Sequence, residues 1–184
     1  MISREQAVTL IKKYLKDVDN IRFAVAVEVI LGKIAVRLER DEKLWEITGL
    51  LHNIDYEYCA INPEQRGVLA AQLLDGLMPE PVVNAIKANN YMHSDYIPTT
   101  SLDKSLISAV ASVQLIKAVT KNSASKKISD IELPEIMIKF HDTSFAPIIN
   151  RNRIGLCEDV GIDIDTFLEI CLEAMKEISD KIGL

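Results

Sequence analysis

A histidine and an asparagine at the end of an apolar run, His52-Asn53, are the residues of this chain best placed to do chemistry. They follow Trp45-Glu46-Ile47-Thr48-Gly49-Leu50-Leu51, and Asp55 and Glu57 lie just beyond them. Aspartate at position 53 would make a His-Asp doublet, which binds a divalent metal through one imidazole nitrogen and one carboxylate oxygen. Asparagine has almost the same shape, but its carbonyl is neutral and a weak substitute for a carboxylate. Asp55 and Glu57 are the nearest candidate acid/base pair. No nucleophile or electrophilic partner accompanies them, so bracing the loop after the helix is the better expectation for Asp55.

The remaining reactive residue types are scattered. His93 falls in the polar segment 91–100, and His141 precedes Asp142 in a second His-Asp sequence. Cys59, Cys157 and Cys171 are odd in number and far apart, with no CxxC spacing and no adjacent histidine to activate them. Cys157 and Cys171 read as core or near-core thiols, and the three together suit a reducing, cytoplasmic compartment.

The elements that position these residues are all helical. Ser3 and Gln6 form a capping-box pattern, followed by Val8, Leu10, Ile11, Tyr14 and Leu15 at helical spacing. Asn20 is placed to cap a second helix through Glu39, and Asp41 a third that runs into His52. Residues 59–65, with Pro63, read as a loop. A fourth helix over 64–75 would end at Gly76, and Pro79 would start a fifth through Asn89. Ser101 to Val119 reads as a buried central helix, and Lys121–Ser129 as a Ser- and Lys-rich mobile loop. Shorter helices are expected over 134–140 and 147–158, then a final amphipathic helix capped by Asp163 or Asp165. No strand alternation, internal repeat or long linker appears, so an all-α single domain over residues 1–184 is expected.

Composition narrows the function. Of 184 residues, 27 are acidic and 21 basic, giving a net charge of −6. That balance argues against nucleic acid as a partner, because phosphate neutralisation needs a basic surface. No stretch approaches the roughly 18 apolar residues of a membrane span, so no membrane partner is expected. The apolar final helix could support a homo-oligomer.

The helix order, with His52-Asn53 closing the third helix, resembles the HD-domain superfamily, and more closely the small bacterial HDIG-type proteins. The resemblance covers nearly the whole chain. It is carried by Ala26-Val27-Glu28, by Gly49-Leu50-Leu51-His52-Asn53-Ile54-Asp55-Tyr56-Glu57, by Ala85-Ile86-Lys87-Ala88, by Asp142-Thr143-Ser144-Phe145-Ala146 and by Asn150-Arg151. It implies a helical bundle whose family activity is metal-dependent phosphohydrolysis of nucleotides or other phosphate esters. It also places His141-Asp142 in a structural, loop-closing segment.

The resemblance implies metal ligands at positions that this chain fills with other residues. The first histidine falls at Phe23, and the doublet at His52-Asn53. The next two histidines fall at Arg66 and Asn89, and the last aspartate at Val110. Phe and Val have no lone pair to offer, and Arg66 adds a fixed positive charge beside the place of a cation. One histidine is too few, because catalytic metal sites generally use at least three protein ligands. The expectation is therefore a degenerate site without cofactor and a role in ligand binding, regulation or interaction. Arg66, Asn53 and Asn89 would hold a small anion such as phosphate or carboxylate, the asparagines as donors. The alternative is a phosphohydrolase with a rebuilt divalent-metal site using His52 with Asp55, Glu57 or His93.

Overall fold

Ser3 begins the fold as expected: its Oγ accepts from the Gln6 N–H while the Gln6 side chain accepts from the Ser3 N–H, starting helix α1 (Arg4–Tyr14). The computed structural model describes all residues, Met1–Leu184, and contains helices and no strand. Helix α2 (Val18–Arg37) starts earlier than the sequence suggests. Asp17, not Asn20, is its N-cap and accepts from the Asp19 N–H, which leaves the Asn20 amide free for a tertiary contact. Asp41 caps α3 (Glu42–Leu51), whose last turn leads directly into His52.

The next two helices are shorter than their apolar patterns. Residues 63–65 form one 3₁₀ turn, and α4 covers only Val68–Leu74. Gly67 separates them with φ +83°, a left-handed backbone conformation that breaks the helix expected to run unbroken from 64. Helix α5 (Glu80–Ala88) ends just before Asn89. The segment 91–100 is irregular, as its polar residues and Pro98 imply.

Helix α6 (Ser101–Asn122) is the central element, packing against α2, α3 and α5 as well as the later helices. Thr100 and Asp103 close a capping box at its start, a device the sequence reading missed. Ser105, Ser108, Ala109, Ala111 and Ser112 on its buried turns are small enough to let neighbouring helices approach. It runs one turn beyond Val119. The Ser- and Lys-rich stretch after it is partly anchored, because Ile128 is fully buried in a 3₁₀ turn.

Helix α7 (Leu133–His141) is followed by a turn in which Asp142 Oδ1 accepts from the N–H groups of Ser144 and Phe145. Arg151 then donates to the carbonyls of Lys139, Phe145, Ala146 and Ile149, clamping the turn. The helix expected over 147–158 is only α8 (Arg151–Gly155), because these carbonyls point at a side chain instead of along a helix. Asp163 caps α9 (Ile164–Glu177), and a short α10 (Ser179–Ile182) ends the chain.

One continuous apolar core joins residues from Ala7 to Ile182, so no gap in packing marks a domain boundary. Cys157 and Cys171 are fully buried in it, and burial pushes the Cys157 thiol up to about 12, an inert thiol. No helix is long and apolar enough to cross a membrane.

Candidate functional site

Phe23, His52, Asn53 and Asp55 line a cavity of about 230 Å³, and Arg66, Asn89 and Val110 complete its wall. All seven candidate residues, drawn from distant parts of the sequence, are thus brought together. Helices α2 and α6 form two sides, the ends of α3 and α5 a third, and the start of α8 a fourth.

His52 is buried, and its Nδ1 lies 2.6 Å from the Gly49 carbonyl oxygen. A carbonyl only accepts, so Nδ1 carries the proton and Nε2 keeps a bare lone pair. Burial, aided by the nearby Arg153 guanidinium, lowers its pKa to about 4. His52 is therefore neutral near pH 7 and a feeble general base there. The partner carbonyl belongs to the last turn of its own helix. The Phe23 ring packs beside the imidazole at 5.7 Å between centroids.

The two acidic residues after His52 are both committed to backbone. Asp55 Oδ2 accepts from the N–H of Gly67 at 2.7 Å and of Ala70 at 3.0 Å, holding the start of α4. Glu57 accepts from the N–H of Lys16 and Asp17 and from the Asn20 amide, holding the start of α2. Asp55 is thus a brace, as expected, and neither carboxylate is free for acid/base work. His93 and His141 are exposed and do not line the cavity.

The asparagines behave differently from the expectation that both donate to an anion. Asn53 gives its amide N–H to the Asn20 carbonyl at 3.1 Å, and its Oδ1 is buried without a partner. Asn89 accepts, through both Oδ1 (2.7 Å) and its backbone carbonyl (2.9 Å), from Arg153. These bonds fix the guanidinium against the cavity wall.

Arg153 and Lys117 are the residues that sequence reasoning missed. With Arg66 they supply three cations to one cavity, and none of the three lies within ion-pair distance of a carboxylate. Arg66 stacks over the Tyr56 ring at 4.2 Å, and the Lys117 ammonium lies 5.8 Å from the Phe23 centroid. The Nε atoms of Arg66 and Arg153 are buried without partners. Burial lowers the pKa of both Lys117 and Arg153; for Lys117 the nearby Asp19 and Asp17 carboxylates oppose the shift without cancelling it. A helical signal for Lys117 existed: Val110, Gln114 and Lys117 are spaced i, i+4, i+7 on α6 and all line the cavity. Arg153 had no such signal, because its approach depends on the turn that Arg151 clamps.

The donor set does not fit the metal that the HD resemblance implies. No group of three His, Cys, Asp or Glu side chains converges anywhere in the chain. At the cavity, one imidazole faces three cations, and the carboxylate of Asp55 is occupied by amides. The arrangement instead suits an anion: three cationic donors outnumber the two lining carboxylates, Asp19 and Asp55, and water is partly excluded.

Comparison of the chain with protein-family models, curated proteins and solved structures finds no match.

Proposed function

We propose that this chain is a degenerate HD-type protein that binds a small anion without a metal and does not hydrolyse it. The observation that carries the reading is the set of three cations with no ion-pair partner, Arg66, Lys117 and Arg153, around one cavity. All three are half-buried, and a partly desolvated cation without a counter-charge is costly, so an anionic ligand offsets that cost by supplying the missing charge and acceptors. The family part of the reading is supported by convergence. The positions at which the resemblance implies metal ligands, Phe23, His52, Asn53, Arg66, Asn89 and Val110, all line the same cavity. The non-catalytic part is supported by the neutral His52 and the two committed carboxylates.

The test is calorimetric titration of the full chain with inorganic phosphate and with sulfate at low ionic strength. Saturable binding is expected, weakened roughly tenfold or more by Lys117→Met, because a hydrogen bond to a charged group contributes about 1.5–3 kcal/mol. No saturable binding at millimolar anion, or equal binding by Lys117→Met, overturns the reading.

A further inference from the structure

The cavity holds acceptors as well as cations, and an anion alone satisfies only the cations. His52 presents a bare Nε2 because Nδ1–H is directed at Gly49 O. Asn53 Oδ1 is buried and partnerless because the amide's N–H goes to Asn20 O. Asn53 Oδ1 needs a hydrogen-bond donor, because an unpaired buried acceptor is costly, and His52 Nε2 is a second acceptor beside it. A protonated amine is a poor source, because Arg66, Lys117 and Arg153 would repel it. A neutral hydroxyl supplies the proton without that repulsion.

The charge balance indicates how much negative charge the ligand carries. Besides the three cations and neutral His52, the ionisable groups at the cavity are Asp19, Asp55 and Tyr56. The Asp55 carboxylate is held by two neutral amides and keeps its charge beside Arg66, while that of Asp19 pairs with Arg22 at 3.3 Å. Three cations against Asp55 leave two positive charges to the ligand, which a dianion balances and a monoanion does not. The cavity, about 230 Å³, is also smaller than the roughly 300–1,000 Å³ of sites that enclose drug-sized ligands.

We infer that the cavity takes a small dianion that also carries a hydroxyl group, its charge on Arg66, Lys117 and Arg153 and its hydroxyl donating to Asn53 Oδ1 beside His52. The inference rests on the anion-binding reading and specifies its ligand class. Two sources share this chemistry, a hydroxyalkyl phosphate monoester and a hydroxydicarboxylate.

Calorimetry on the full chain with matched probes separates them. Glycerol 3-phosphate is compared with n-propyl phosphate, and malate with succinate; adenosine 5′-monophosphate tests size. The hydroxylated member of at least one pair is expected to bind roughly three- to tenfold tighter than its hydroxyl-free partner, the equivalent of one hydrogen bond. The tighter pair identifies the source of the charge. Asn53→Leu should bring that ratio close to one, and the wild-type comparison stands without the variant. Equal affinity within both pairs overturns the inference while leaving the anion site in place, as does tighter binding of adenosine 5′-monophosphate than of either hydroxylated probe. If no probe binds, inorganic phosphate and sulfate included, the anion-site reading itself falls.

Discussion

Asp55 holds Gly67: its Oδ2 accepts the Gly67 N–H at 2.7 Å across a loop, and the next turn's Ala70 N–H at 3.0 Å. The carboxylate expected to brace the loop after α3 is thereby the N-terminal brace of α4. Gly67 must adopt φ +83° there, and a Cβ on it would fall 2.9 Å from the Ile86 carbonyl oxygen. Removing the brace leaves two buried N–H groups unmatched. Asp55→Ala should lower stability by about 1–3 kcal/mol in urea unfolding. An unchanged midpoint would show that α4 is held by its packing alone.

His52 makes stability depend on pH. Its folded pKa, about 4, lies below the ordinary 6.5 because burial opposes the charged form. Between these values the unfolded chain binds a proton that the folded chain refuses. Stability from this residue is therefore fully present above pH 6.5 and falls as the pH drops towards 4. The loss between pH 7 and 4.5 is about 2–3 kcal/mol from the cited shift. His52→Gln should lose less stability over the same interval by about that amount. Parallel losses in the two proteins, followed by urea unfolding at each pH, would contradict it.

The residues that meet at the cavity were legible where the resemblance to HD-type proteins pointed to a position, and illegible where a turn did the positioning. Phe23 on α2 and Val110 on α6 were singled out by that resemblance and not by an apolar period. Their neighbours at i−4, i−3, i+4 and i+7, namely Asp19, Asn20, Gln114 and Lys117, follow once the face is known. Arg153 reaches Asn89 only because Arg151 gathers carbonyls from residues 139 to 149 and folds the intervening chain back. No local pattern encodes that contact. Gly67 similarly split the expected fourth helix through one left-handed residue.

Helices α2 and α3 meet backbone to backbone at Gly49. A Cβ there would lie 2.7 Å from the Val27 carbonyl oxygen and 2.8 Å from Glu28 Cα. Backbone atoms cannot swing aside as a side chain can, so Gly49→Ala must separate the helices that carry Phe23 and His52. A loss of about 1–3 kcal/mol is expected, with weaker anion binding alongside it. Gly155→Ala is the control, since nothing lies within 4 Å of a Cβ there. It should be neutral or stabilising by up to about 1 kcal/mol. Equal thermal midpoints for wild type and Gly49→Ala would refute the close approach.

Adding one ligand should not create a metal site. Asn53→Asp makes a His-Asp doublet in sequence, but the four other positions at which the HD resemblance implies ligands still carry Phe23, Arg66, Asn89 and Val110. The new carboxylate would sit in a cavity that also receives Lys117 and Arg153, whose charges oppose a divalent cation. It would also exchange the amide donor for an acceptor facing the Asn20 carbonyl, now 3.1 Å away. Elemental analysis of the dialysed variant, purified without chelators, should find no stoichiometric transition metal, and its affinity for sulfate should fall. A tightly held divalent ion in this single variant would mean that the cations yield to a metal, and the proposed anion-binding reading of the cavity would fall.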